Sequence, residues 1–226
     1  MKRLLFALVV AALGIAALGV SVPSQAGDDG WIKLFNGKDF TGWKKFLDPK
    51  KDADPEKIWT IKDGVIHCEG NVNGYLITEK EYENYVLKLQ WRWGERVHVK
   101  YGRNSGVFVH VTGPDKIWPK SVEAQLMADH AGDFWLVGDF KLKVDAKRQD
   151  PKVPRHYLRM KDGVENKLGE WNQYEITCKD DTVKLVVNGQ LVNVGEDAEL
   201  TKGKILLQSE GAEIHFKDVM LKRLGK

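Results

Sequence analysis

Two short stretches hold the residues best suited to chemistry. Residues 121–127 read Ser-Val-Glu-Ala-Gln-Leu-Met. Val122, Ala124 and Leu126 alternate with Ser121, Glu123, Gln125 and Met127, the period of a strand with one face on a core. A solvated strand face usually carries Lys, Thr or Ser. This one carries a carboxyl and an amide two residues apart, which suits a polyhydroxylated ligand. Just upstream, 104–111 sets Gly106, Phe108 and His110 against Val107, Val109 and Val111. The connection 112–120 is short, so the two strands are expected to pair antiparallel, and a shared core fixes the parity of their register. That places His110 across from Glu123 on one concave face, ~4.5–5.5 Å apart at Cβ, with Phe108, Gln125 and Gln208 alongside. A neighbouring carboxylate favours the imidazolium, which would make His110 a proton donor near neutral pH or a metal ligand. The plain alternative is a ladder of solvated polar residues on an open sheet.

The elements that must position these residues read as short strands. Asp63-Gly64 joins 59–62 to 65–68, and Asn188-Gly189 joins 183–187 to 190–194; both dipeptides favour a tight hairpin. The run 82–93 alternates, with Tyr85, Leu87, Leu89, Trp91 and Trp93 on one side. Residues 203–209 and 213–221 form a last pair, and the first of these carries Gln208. Residues 129–169 are irregular, read as long loops with short strands such as 135–137, which holds Trp135. A loop region of this length is usually functional or mobile. Trp171, at a strand entry, is expected to point inward. No segment after Ala26 sustains a 3.6-residue period, so the expected class is an all-β sandwich.

The N-terminus has its own logic. Met1-Lys2-Arg3 precedes an apolar run over 4–20, and Pro23-Ser24-Gln25-Ala26 follows. This is the layout of a secretory signal cleaved after Ala26, leaving no stable membrane anchor and a periplasmic or secreted protein. A retained apolar anchor is the competing reading. Residues 27–226 then fit one domain. Two of the 35 basic residues precede Ala26 and all 32 acidic ones follow it, so the remaining charge is about +1 and gives no reason to expect nucleic acid. Cys68 and Cys178 each alternate with an inward Ile and read as buried free thiols, although an exported protein permits a disulfide.

Seven motifs then appear in one order: Leu34-Phe35-Asn36-Gly37-Lys38-Asp39-Phe40-Thr41-Gly42-Trp43, Asp63-Gly64-Val65, Asn104-Ser105-Gly106-Val107, Glu123-Ala124-Gln125, Gly169-Glu170-Trp171-Asn172, Val187-Asn188-Gly189 and Ile205-Leu206-Leu207-Gln208. In this the chain resembles the DUF1080, or 3-keto-disaccharide hydrolase, domain family over nearly all of 31–224. The resemblance implies a concanavalin A-like jelly-roll β-sandwich of two antiparallel sheets. It also implies an exported bacterial enzyme acting on glycosides whose glucose ring carries a ketone at C3.

Such a ketone acidifies the proton on C2. A base removes it, the enolate expels the C1 substituent, and water adds to the enone. The route needs a base, an electrophile at the C3 oxygen and a proton for the leaving oxygen. Glu123 can serve as base or acid and His110 as acid or metal ligand. Arg103 or a divalent cation can hold the enolate oxygen. Asn104, Phe108, Gln125, Trp135 and Gln208 are the expected substrate contacts; Asn104 as a turn cap and Arg103 as a loop charge are the bland readings. His130 reads as loop surface and His215 as solvated. Glucanase-type retention needs two carboxylates ~5–5.5 Å apart, and Glu123-x-Gln125 lacks the second on its own strand. A lectin-like sandwich that binds a small carbohydrate without turnover stays open.

Overall fold

The computed structural model describes residues 30–225, so the N-terminal signal reading lies outside the described residues. The chain runs β1 (Trp31–Lys33), β2 (Trp43–Leu47), α1 (Pro55–Ile58), β3 (Trp59–Lys62), β4 (Val65–Cys68), β5 (Gly74–Thr78), β6 (Tyr82–Glu83) and β7 (Tyr85–Val97). It continues through β8 (Gly106–Thr112), β9 (Lys120–Gln125), β10 (Phe134–Val137), a single 3₁₀ turn (Ala146–Arg148) and β11 (His156–Tyr157). β12 (Asn172–Lys179), β13 (Thr182–Val187), β14 (Gln190–Gly195), β15 (Lys202–Ser209) and β16 (Ala212–Arg223) complete it. With one helical turn of each kind, the fold is all-β.

Two antiparallel sheets form. The first runs β14-β13-β12-β7-β16-β4-β3, with β1 also on β16; the second runs β11-β10-β9-β8-β15-β5-β2, with β6 on β15. The two Xaa-Gly hairpins form as read. Asp63 and Gly64, and Asn188 and Gly189, all have positive φ, as a type I′ turn requires. Between the sheets lies one apolar layer that includes Trp59, Ile66, Leu87, Trp91, Val107, Val109, Val122, Ala124, Ile205, Leu207 and Phe216. Cys68 and Cys178 are free and buried in it, and burial pushes both thiols up to about 12. Trp171 departs from expectation. It is half-buried on the outer face of the first sheet, where Arg92 and Lys217 sit over its ring at 4.7 and 4.3 Å, while the next residue, Asn172, turns inward.

The strands that build the site carry one irregularity. β8 pairs with β9 as Gly106↔Gln125, Val107↔Ala124, Phe108↔Glu123 and Val109↔Val122, then jumps to Thr112↔Lys120. Against β15 the register also slips in this region, from Leu206↔Phe108 to Lys204↔Val111. An extra residue in one strand breaks the alternation and re-aims the side chains beyond it. His110 sits at the bulge with φ 54°, 1% exposed. Its ring lies parallel to that of Phe140, a residue of the inter-sheet core, at 6.1 Å. Val111 consequently joins Phe108 on the outer face.

The expected His110–Glu123 pair is therefore corrected: Phe108 opposes Glu123. With no carboxylate beside it, His110 is pushed down by burial to about 4, the reverse of the expected rise. The catalytic assignment made to His110 rested on that pairing. On β15, Gly203 accommodates the bulge, since a Cβ there would come 2.5 Å from the His110 carbonyl carbon. Gly203→Ala is expected to destabilise the fold by ~1–3 kcal/mol, the usual cost of overpacking, read as a lower midpoint in denaturant unfolding.

Candidate active site

The outer face of the second sheet brings most of the expected residues together. β10 sets Trp135 opposite Glu123, β9 sets Glu123 opposite Phe108, and β15 sets Leu206 opposite Phe108. In the next row Gln125 faces Gly106, and Gln208 faces Tyr75 of β5. Gly106 is needed here for its missing side chain. A Cβ would lie 2.5 Å from Glu123 Oε1, so the carboxyl leans across the backbone of β8. One row further, Asn104 bridges to Glu210 just past the end of β15, and its Nδ2 donates to Glu210 Oε2 at 2.8 Å.

Several polar ends converge without partners. Gln125 Oε1 accepts from the N–H groups of Leu126 and Met127, both at 2.9 Å, which leaves its amide nitrogen as the free donor. Trp135 Nε1, Asn104 Oδ1 and Gln208 Oε1 are buried with no hydrogen-bond partner. Buried polar atoms are normally satisfied. Orphaned indole and phenol groups also occur in the core at Trp59, Trp91, Tyr85 and Tyr174. The three here lie along the outer face of the second sheet, on β10, on β15 and just before β8.

The electrostatics separate two acids. Burial raises Glu123 well above the usual carboxylate range, and nearby Glu210 raises it further, against a lesser pull from Arg155. Burial likewise pushes Glu210 up to about 7, with Arg155 opposing. Glu123 thus favours its neutral form the more strongly, and Glu210 less so. Two carboxyls whose surroundings hold them apart in this way can divide acid and base roles.

Arg103 does not join them. Its Nη2 donates to the carbonyls of Gly94 and Glu95 at 3.4 and 3.3 Å. There it lines two clefts of about 750 and 280 Å³ at one end of the sandwich, shared with Trp93 and Leu168. The cation beside the two acids is Arg155, whose guanidinium lies 4.8 Å over the Trp135 ring. Phe108 is fully buried under Trp118, 6.0 Å away between ring centroids, so it is floor and not a stacking platform. Trp135 already carries Arg155 and a parallel His156 ring at 4.2 Å, so what it offers a ligand is its Nε1–H.

Glu210, Arg155 and His156 were absent from the sequence reading. Glu210 had a signal: it shares parity with Leu206 and Gln208, on the face already assigned to the site. Arg155 and His156 lie in the irregular 129–169 region, where no periodicity points.

Metal chemistry has two candidate places. His67, Glu213 and His215 hold ligand atoms within 4.8 Å of one another, and His215 is buried, not solvated as expected. There, however, Arg92 Nε donates to His215 Nδ1 at 3.2 Å, which puts the ring proton on Nε2, toward Glu213 Oε1 at 3.1 Å. Arg96 also caps Glu213 at 3.2 Å. Glu213 and His215 are thus tied into a hydrogen-bonded chain with the Arg92 and Arg96 guanidinium groups, which compete with a cation for their lone pairs. Around Glu123 the donor set is equally ill-suited. Burial favours the neutral acid there, the form that can donate a proton, whereas a hard cation would have to displace that proton to bind the carboxylate.

The profile of the 3-keto-alpha-glucoside-1,2-lyase-like domain matches residues 30–222. A curated 3-keto-disaccharide hydrolase of Bacteroides thetaiotaomicron is 31% identical over 185 residues, covering 72% of this chain and 56% of that protein. The chain therefore spans little more than half the length of that relative. A candidate glycosyl hydrolase of known structure from Parabacteroides distasonis superposes with TM-score 0.63 at 27% identity, covering 87% of this chain and 95% of that one. The β-glucanase of Bacillus licheniformis shares the fold alone, with TM-score 0.58 at 14% identity over 86% of this chain and 97% of that one. With the match running from the first described strand to the last, this chain belongs to the 3-keto-alpha-glucoside-1,2-lyase-like domain family.

Proposed function

We propose that this protein cleaves glycosides whose glucose ring carries a ketone at C3, by elimination across C1–C2 followed by hydration. The observation that carries the reading is the pair of carboxyls, Glu123 buried and Glu210 half-buried, held at different proton affinities on a sheet face with unpartnered amide and indole groups. Membership of the family and the likeness to a curated 3-keto-disaccharide hydrolase support it.

In this reading Glu210 is the base. Arg155 favours its ionised form, and the Asn104 amide fixes one of its oxygens. It takes the C2 proton, and the electron pair left behind forms the enolate to the C3 oxygen. Donors available for that oxygen are Gln125 Nε2, Trp135 Nε1 and the Arg155 guanidinium. Collapse of the enolate makes the C1–C2 double bond and breaks the bond from C1 to the leaving oxygen, which receives the proton of Glu123. The pair is then reversed, with Glu210 protonated and Glu123 ionised. Adding water restores both: Glu123 takes a proton from water as its oxygen bonds to C1, and Glu210 returns a proton to C2. Low local dielectric strengthens each of these interactions. The signal-like pattern of 1–26 supports the further proposal that the protein is exported and meets its glycoside outside the cytoplasm.

The competing reading is a sandwich that binds carbohydrate without turnover. Glu123→Gln and Glu210→Gln are each expected to lower kcat on a 3-keto-glucoside by about 10²–10⁴-fold, the usual worth of general acid–base catalysis. Binding of the substrate, measured by calorimetry, should survive. Unchanged turnover in both variants would overturn the roles given to the two acids, whereas binding with no turnover in the wild type would favour the lectin-like alternative.

Stability should follow pH through the same group. Glu210 binds its proton more tightly in the fold than in the unfolded chain, so the native state holds the extra proton between about 4.5 and about 7. Its burial therefore destabilises the fold increasingly as pH rises through that window. Glu210→Gln is expected to raise Tm more at pH 8 than at pH 4.5 in scanning calorimetry.

A further inference from the structure

His156 stands behind Trp135, away from the two acids. It is 8% exposed, and each ring nitrogen meets a carboxylate: Nε2 to Asp133 Oδ2 at 2.9 Å and Nδ1 to Asp150 Oδ2 at 3.0 Å. An ionised carboxylate only accepts, so both nitrogens must donate, and a ring that donates twice is an imidazolium. The two carboxylates are themselves held ionised. Asp133 is buried, which alone would raise it, yet hydrogen bonds from His156 and Arg159 bring it below the usual range. Asp150 is lowered by the Lys152 N–H and by His156. Burial alone would lower His156; the bonds to Asp133 and Asp150 outweigh it and raise the ring above the ordinary histidine value.

The ring is coupled to the site by two contacts. β11 pairs His156 with Trp135, and the two rings stack at 4.2 Å and 13°. Trp135 in turn opposes Glu123. The residue before His156 is Arg155, the guanidinium that acts on both Glu123 and Glu210. The charged groups around the ring are few. The turn before β10 supplies Asp133 and His130, the latter with Nδ1 3.4 Å from Asp133 Oδ2. The loop into β11 supplies Asp150 and Arg155. Beyond β11, Arg159 bonds Asp133 at 3.1 Å and is shared with Asp162 at 2.7 Å.

We propose that His156 is a positioning residue whose bound proton clamps the 150–157 segment to the sheet edge and so holds Arg155 and Trp135 against Glu123 and Glu210. This rests on the reading of those two acids as the catalytic pair. When the ring loses its proton, one nitrogen becomes an acceptor facing a carboxylate, the bond turns repulsive, and the clamp opens. The clamp is complete below the ordinary histidine range and is lost as pH rises through the raised value. It therefore adds an alkaline limb of its own to turnover, beside the one set by loss of the Glu123 proton.

Ring ¹⁵N spectra of the described chain, with His156 identified by its loss in His156→Gln, test the charge state without any substrate. Two protonated nitrogens at pH 7 are expected; a neutral ring at pH 7 overturns the proposal. With a 3-keto-glucoside, an alkaline limb of kcat/KM should track that titration. His156→Gln should lower kcat/KM roughly 10–100-fold, the scale of a small misplacement at a site, and should lose that limb. Its persistence in His156→Gln refutes the clamp. Asp150→Asn is the milder variant, should His156→Gln fold poorly: removing one carboxylate partner should move the limb about one pH unit downward, and an unmoved limb counts against the proposal. If the wild type turns over no 3-keto-glucoside, the catalytic reading fails, and the clamp is judged from the Glu210 carboxyl titration by ¹³C spectroscopy. His156→Gln, or Asp150→Asn if that variant folds poorly, should raise the midpoint as Arg155 withdraws, and an unchanged midpoint overturns it.

Discussion

Removing Glu123 from water is the constraint on which the site depends. An ionised carboxylate without partners costs several kcal/mol to bury, and such groups respond by taking up a proton. Glu123 makes no hydrogen bond or ion pair among the described residues, lies over the backbone of Gly106, and has a second acid nearby. Neutrality is therefore the state the fold imposes on it. That state follows from the sheet that buries it: Phe108 opposite it on β8, Trp135 opposite it on β10, and the absent side chain at position 106.

Glu210 shows the same force with a different balance. It is buried less completely, takes a hydrogen bond from Asn104 and feels Arg155, and these bring its proton affinity into the neutral range. The difference between the two acids is one of surroundings and not of residue type. The cation that tunes both comes from an irregular loop, held to the sheet edge by the Asp133–His156–Asp150 chain. A loop that would otherwise cost conformational entropy to order is fixed by charge-assisted hydrogen bonds. A sandwich with a rigid core thereby places a loop residue with the precision of a strand residue.

The bulge at His110 shows how one backbone irregularity redistributes chemistry. Had alternation continued from the Val109↔Val122 pair, the imidazole would lie opposite Ser121, on the face of Glu123 and one row away. With the bulge, His110 turns to Phe140 inside the sandwich and Val111 takes the outer face. The outer face loses a histidine and gains an apolar residue that packs in the cluster with Phe108.

Period-2 alternation and turn dipeptides were enough to determine the all-β class, the hairpins at Asp63-Gly64 and Asn188-Gly189, and the inward set along Tyr85 to Trp93. These are local properties of the backbone and of hydrophobic burial, so the linear chain contains them. The same alternation put Glu123, Gln125 and Gln208 on one face, and extended two residues further it reaches Glu210. Tertiary structure decided the rest. A bulge depends on what the neighbouring strand permits, here Gly203 against His110, and no pattern within 104–111 records it. Arg103 was drawn to the carbonyls of Gly94 and Glu95, which the turn at 99–102 brings close. Arg155 and His156 became part of the site only because β11 pairs with β10. Proton affinity was the least legible property of all, because it depends on desolvation and on charges brought near from distant parts of the chain, and both exist only once the sheets have closed.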